Sequence, residues 1–195
     1  MIDILPIISE MEDKFQNPTT TSKKFKEDLW NFCKSRDLNG FAVEYGTHKG
    51  QTTRILSHVF DKVYTFNLPG HFDEAMRLNA DRNNIEYVGL DLYNSDVYEN
   101  NDVRGEISFA LIDAVHEYDS VLSDFTRLRQ YDRSETCYVC FDDYGLYDEV
   151  YNAVNDLVWS DWIEWVANVG HEQGHSFGDD RILKHSEGVI CKLLR

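Results

Sequence analysis

The chain is short of proline, short of positive charge and without any long apolar run. Three prolines in 195 residues leave few forced breaks in helices or strands. The 19 lysines and arginines stand against 35 aspartates and glutamates, a formal charge of −16. Binding to nucleic acid or to an anionic membrane needs clustered lysine and arginine, so neither is expected as a partner and a small molecule is. No apolar run approaches the roughly 20 residues of a membrane span. The N-terminus lacks the basic-then-apolar pattern of a secretory leader, so a cytoplasmic location is expected. Of the four cysteines, Cys137 and Cys140 have C-x-x-C spacing but lie inside an apolar run that reads as a strand. Residues three apart on a strand face opposite sides, so a shared metal or disulfide is not expected there, and both read as buried thiols. Internal repeats, low-complexity tracts and linkers are also missing. The chain therefore reads as one domain over 1–195, with a helical extension over 1–40 and a core over 41–195.

Apolar spacing gives the organisation. Ile4, Ile8, Met11 and Phe15 form one helical stripe, with Pro6 tolerable in its first turn. Phe25, Leu29 and Phe32 repeat the spacing up to a stop at Asn39-Gly40. Strands and helices then alternate: strands over 41–45, 63–66, 85–88, 107–112 and 136–141, and helices over 52–60, 72–81, 118–131 and 146–158. A short helical stretch follows the third strand. Two closing strands, 162–169 and 189–194, have no helix between them. Repeated βα units predict an α/β, doubly wound, Rossmann-like, mostly parallel seven-stranded sheet, and the last two strands predict an antiparallel C-terminal hairpin at one edge. Trp159, Trp162 and Trp165 read as residues of that edge, with a pocket lining as the alternative.

Two stretches carry the most chemistry: Phe109-Ala110-Leu111-Ile112-Asp113-Ala114-Val115-His116 and Cys137-Tyr138-Val139-Cys140-Phe141-Asp142-Asp143-Tyr144. Each is an apolar run of strand length ending in carboxylates. In open α/β sheets, ligands bind beyond the carboxyl ends of the strands. Neighbouring strands lie about 4.8 Å apart, so Asp113, Asp142 and Asp143 can close on one hard divalent cation, with His116 beside it as a base near neutral pH. The plainer alternative makes Asp142-Asp143-Tyr144-Gly145 a turn and helix cap, and His116 a capping histidine.

The first strand runs into Glu44-Tyr45-Gly46-Thr47-His48-Lys49-Gly50-Gln51-Thr52. Its glycines are spaced G-x-x-x-G, which differs from the dinucleotide fingerprint G-x-G-x-x-G. An acidic residue beside the loop repels a pyrophosphate but suits an ammonium group. S-adenosylmethionine, which carries an amino group and a sulfonium, fits that better than a dinucleotide.

From Phe41 onward the chain resembles class I S-adenosylmethionine-dependent methyltransferases, and among them the metal-dependent O-methyltransferases of the catechol and macrolide-sugar (macrocin) type. The resemblance rests on Glu44-x-Gly46-x-x-x-Gly50, Gly89-x-Asp91, Asp113-x-x-His116-x-Tyr118 and Asp142-Asp143, and covers about four fifths of the chain. It implies a methyl transfer from S-adenosylmethionine to a small hydroxylated acceptor of sugar or phenol type. Glu44, Gly46, Thr47, Gly50, Thr52, Asn67, Asp91 and Asp113 would contact the cofactor. Asp113, Asp142 and Asp143 would hold Mg2+ or a similar ion, and His116 would remove the acceptor proton. Asn67 departs from the pattern: relatives place Asp or Glu there to clasp the ribose hydroxyls, and an amide gives up about 1–2 kcal/mol of charge-assisted bonding. Two alternatives remain open, a non-catalytic binding protein of the same fold and a metal-dependent hydroxylase-like enzyme, and homo-oligomerisation is left open too.

One match is a decoy. His171-Glu172-Gln173-Gly174-His175 has the H-E-x-x-H spacing of zinc proteases, but Arg181 stands where a third ligand belongs and Gly170 and Gly174 oppose the helix that the motif needs. The segment reads as a loop before the last strand.

Overall fold

The computed structural model describes residues 3–93, 103–177 and 181–194. Its seven strands are β1 (Phe41–Tyr45), β2 (Lys62–Asn67), β3 (Ile85–Gly89), β4 (Ile107–Ile112), β5 (Arg133–Phe141), β6 (Ile163–Val169) and β7 (Gly188–Leu193). They form one sheet in the order β3-β2-β1-β4-β5-β7-β6. The first five are parallel, and β7 lies antiparallel between β5 and β6. This is the doubly wound, mostly parallel sheet with a terminal hairpin that the strand pattern predicts.

Helices cover both faces because the strands are apolar on both. All six residues of β4 are buried. On one face Val43, Tyr45, Ala110 and Ile112 pack with Val121 and Phe125 of α5 (Tyr118–Leu128) and Val150 and Val154 of α6 (Asp148–Trp159). On the other, Ala42, Phe109, Leu111 and Cys140 pack with Phe25, Leu29 and Phe32 of α2 (Lys23–Ser35), and with Leu56 of α3 (Gln51–Ser57). Cys137 belongs to the first core and Cys140 to the second, the opposite-face placement expected for residues three apart. A short α4 (Asp73–Leu78) links β2 to β3. Trp159 is exposed and Trp165 half exposed. The helical stretch expected after the third strand falls mainly in 94–102, outside the described residues. Among the described residues no helix is long and apolar enough to cross a membrane.

The N-terminal stripe is corrected. Only α1 (Leu5–Ser9) is helical, although Ile4, Ile8 and Met11 all bury against Trp30 and Ile55. From Glu10 to Ser22 the chain is a strap of turns and extended backbone. Continuing the helix would place Lys14 on the same apolar stripe as Met11. Leaving the helix instead carries its ammonium to carboxylates at the end of β5, and tertiary pairing overrides local periodicity.

Register sets the site. β1, β4 and β5 finish level: Tyr45 is opposite Ile112, and Ile112 opposite Phe141. The ladder runs one step further, Asp113 N donating to Tyr45 O at 2.9 Å and Asp142 N to Ile112 O at 3.1 Å. Between β1 and α3 the backbone turns at Gly46, φ +103°, where a β-carbon would lie 1.9 Å from the Asp113 carbonyl oxygen. Gly46→Ala is therefore expected to lower the unfolding free energy by at least about 2 kcal/mol in urea denaturation. Gly70→Ala, also at positive φ but with nothing within 4 Å, serves as the control and is expected to cost about 1 kcal/mol.

Candidate functional site

A cleft of about 800 Å³ opens at the carboxyl ends of β1 to β4. The order of strands reverses between β1 and β4, the switch point where open α/β sheets bind ligands. Gly46, His48 and Lys49 form one wall, and Asn67, Leu68 and His71 another. Asp91 to Tyr93 and Asp113 to His116 close it, and the strap contributes Thr19. A small adjoining pocket is lined by Thr47, Thr52 and the strap threonines Thr19 to Thr21.

His116 stands at the end of the cleft. Its ring stacks on Tyr147, centroids 4.6 Å apart, and Tyr147 Oη accepts from Arg181 at 2.7 Å. Its Nε2 lies 3.3 Å from Asp143 Oδ2 and 3.6 Å from Asp113 Oδ1. Burial opposes a charge on the ring, but the two carboxylates outweigh it and raise its pKa above the ordinary 6.5. Asp143 sits at φ +58°, uncommon for a residue with a β-carbon, and this turns its carboxylate between His116 and the strap.

On the far side of Asp143 is Lys14, 1% exposed. Its Nζ donates to Asp143 Oδ1 at 2.5 Å and lies 3.8 Å from both Asp142 Oδ2 and Glu187 Oε1. Burial works against its charge, but the three carboxylates outweigh that and hold its pKa above that of an ordinary lysine. Glu187, fully buried, accepts from Ser22 N at 2.8 Å, Ser22 Oγ at 2.6 Å and His171 N at 3.2 Å. A second buried lysine, Lys26, donates to Thr21 O at 2.5 Å and Glu12 O at 3.2 Å, and burial takes its pKa down to about 8. Burial also pushes Asp142 well above the usual carboxylate range, against the pull of Lys14.

The structure sorts the sequence-predicted residues into three groups. Gly46, Asn67, Asp91, Asp113 and His116 line the cleft together. Thr47 and Thr52 line the small pocket beside it, the Thr47 hydroxyl being 2.6 Å from that of Thr65. Glu44 and Gly50 stand behind it. Glu44 is buried with its Oε2 accepting from Thr53 at 2.5 Å and Thr65 at 2.6 Å, and burial pushes its pKa up to about 8 despite those bonds. It presents no carboxylate to an ammonium group in the cleft. Gly50, φ +75°, starts α3, and a β-carbon there would press on Ala75. Asn67 is committed locally, donating to His71 O at 3.1 Å and accepting from Leu68 N at 2.9 Å.

The expected metal centre does not fit. Asp113 and Asp142 do stand side by side, but one oxygen of Asp143 is bonded to the Lys14 ammonium, which also lies 3.8 Å from Asp142 Oδ2. Among the described residues no three His, Cys, Asp or Glu side chains converge as a metal-binding group. Asp142 Oδ1 is buried without a hydrogen-bond partner, and one orphan oxygen is no coordination sphere. Sequence reasoning missed Lys14, Glu187, Thr19 and Tyr147. Only Lys14 left a trace, as a lysine three residues after Met11 on an apolar stripe. The H-E-x-x-H segment forms turns, its two imidazoles stacked 4.0 Å apart against Phe15.

No family model matches the chain, and no curated protein matches it in sequence. Its fold is shared with solved methyltransferases. The O-methyltransferase TomG from Streptomyces achromogenes, involved in tomaymycin synthesis and solved with S-adenosylmethionine, is 15% identical with a TM-score of 0.66, covering 100% of this chain and 90% of TomG. An O-methyltransferase from Bacillus cereus, solved with S-adenosylhomocysteine, is 16% identical, TM-score 0.66, over 98% of this chain and 89% of the other. The N-methyltransferase NodS from Bradyrhizobium japonicum WM9, with S-adenosylhomocysteine, is 11% identical, TM-score 0.63, over 98% and 97%. The architecture is thus the Rossmann-like methyltransferase fold.

The Glu44 carboxyl gives a pH prediction. A carboxyl whose folded pKa is raised from 4.5 to about 8 costs stability as pH rises through that window, because the buried group must ionise. Glu44→Gln is expected to remove that loss. In melting curves its Tm relative to the native chain should be higher at pH 9 than at pH 5; an unchanged difference would refute a neutral Glu44.

Proposed function

We propose that the chain is an S-adenosylmethionine-dependent methyltransferase that methylates a hydroxyl oxygen of a small acceptor. The observation that carries this is the 800 Å³ cleft at the switch point, ending at a histidine set between two carboxylates, in a fold shared with methyltransferases solved with the cofactor or its product. The cleft's lining suits the cofactor's polar groups: Asp91 and Asp113 place carboxylates on it, and Gly46 allows close backbone approach.

S-adenosylmethionine supplies an electrophilic methyl group. The chain supplies position and a base. The His116 imidazole, with Nε2 3.3 Å from Asp143 and 3.6 Å from Asp113, is the group that would take the acceptor's hydroxyl proton. Tyr147 holds the ring plane. Thr19 of the strap lines the cleft beside Gly46 and Asp113, and a cleft of this size suits a small hydroxylated molecule. The Mg2+ assistance implied by resemblance is not carried forward, because one oxygen of Asp143 is bonded to Lys14 and no metal-binding group converges among the described residues.

A second reading, a cofactor-binding protein without turnover, is favoured by Asn67, whose amide is already spent within its own loop. Calorimetry with S-adenosylmethionine, then turnover assays against a panel of sugars and phenols, separates the two. The expected result is one cofactor per chain, with affinity raised about 10-fold in Asn67→Asp. Turnover should rise with pH along a limb above 6.5, since the base must be neutral and its pKa is raised. His116→Ala should lower kcat by about 10²- to 10⁴-fold with cofactor affinity unchanged. Absence of cofactor binding sinks both readings, and binding without turnover on any acceptor leaves the second.

A further inference from the structure

The strap from Glu10 to Ser22 does more than cover the cleft. It delivers one positive charge to a place where three carboxylates meet: Asp142 and Asp143 after β5, and Glu187 before β7. Carboxylates this close repel one another unless a cation stands between them. Lys14 is that cation. It is 1% exposed, it makes a 2.5 Å hydrogen bond to Asp143 Oδ1, and the Phe177 ring lies 5.4 Å from its nitrogen on another side. The arrangement is anchored by Glu187, whose bonds to Ser22 tie down the strap's far end.

The bond has a direction that matters for chemistry. Asp143 gives Oδ1 to Lys14 and faces His116 with Oδ2, 3.3 Å from Nε2. Holding one carboxylate oxygen fixes where the other points. On the strap side of the two aspartates, a divalent ion would compete with the buried ammonium for Asp143 Oδ1 and Asp142 Oδ2, the oxygens nearest Lys14.

We propose that Lys14 is a built-in replacement for a divalent cation at this strand edge, a positioning residue that neutralises Asp143 and Glu187 and aims Asp143 at His116. The aiming role rests on the methyltransferase reading; the cation role does not. The ammonium comes with the chain, so the site is complete without any metal ion.

Mn2+ titration followed by electron paramagnetic resonance tests the cation role directly. The native protein is expected to bind no stoichiometric Mn2+. One tightly bound equivalent that disappears in Asp143→Asn overturns the proposal. Lys14→Ala, which removes both the charge and the stem, is expected to gain about one equivalent, and a folded Lys14→Ala that binds none also overturns it. If Lys14→Ala does not fold, the native titration decides alone. For the aiming role, Lys14→Ala in chelator is expected to lose about 10- to 100-fold in kcat while its affinity for S-adenosylmethionine changes less than about 2-fold. A loss confined to cofactor affinity would make Lys14 merely structural. Should the native chain fail to bind the cofactor, the methyltransferase reading falls, while the Mn2+ results still judge Lys14.

Discussion

The structure depends on a cluster of buried charge at the carboxyl end of β5. Lys14, Asp142, Asp143 and Glu187 are each less than 10% exposed, and Lys26 lies close behind them. Removing an ion from water costs several kcal/mol, and deleting one partner of a buried pair typically costs about 3–5 kcal/mol. No one element can satisfy such a cluster. The strap brings Lys14, the start of α2 brings Lys26 and the Ser22 cap, β5 brings two aspartates, and the chain entering β7 brings Glu187. Folding the N-terminus across the sheet edge is therefore the condition for burying the carboxylates at all. This also explains why the strap abandons a helix that its apolar spacing favours.

What the sequence shows well is what short-range pattern encodes. The apolar run from Phe109 to Ile112 can only be a strand buried on both faces, and its end at Asp113 marks the ligand-binding edge. The same holds for the run that ends at Asp142. Alternating units and a final pair of strands are enough to give the sheet and its hairpin. The Lys14 bond to Asp143 spans 129 residues, and no periodicity reports a partner so distant. Without Lys14 in view, Asp113, Asp142 and Asp143 at one edge read as a metal site, whereas the structure sets Lys14 against two of them, Asp142 and Asp143, with Glu187 as the third carboxylate. The state of Glu44 is hidden from the sequence for a related reason. Its type is visible in the sequence, but its protonation is set by burial behind Thr53 and Thr65.

These two outcomes move the site's charge in the same direction. A neutral Glu44 and an amide at Asn67 withdraw negative charge from the part of the site at the ends of β1 and β2. His48, Lys49, His71 and Arg77 add basic groups to the same cleft, with Asp73 and Glu74 at its rim. Carboxylates stand instead on Asp91 after β3 and, past β4 at the far end of the cleft, on Asp113 and Asp143. On the proposed methyltransferase reading, a cationic cofactor would draw on those carboxylates more than on the first loop.

That polarity fits a division of labour between the two ends. On the proposed reading, a histidine acting as base must not be permanently protonated by its surroundings, even with carboxylates beside it. Asp143 alone would raise the pKa of His116 further. The Lys14 ammonium, behind Asp143 and out of reach of the acceptor, moderates that pull, and its own field on the imidazole acts to lower the pKa. A lysine on the protein's own chain is therefore suited to this place in a way that a second histidine is not: the surrounding carboxylates hold its pKa above that of an ordinary lysine, and it leaves the imidazole as the group that exchanges protons.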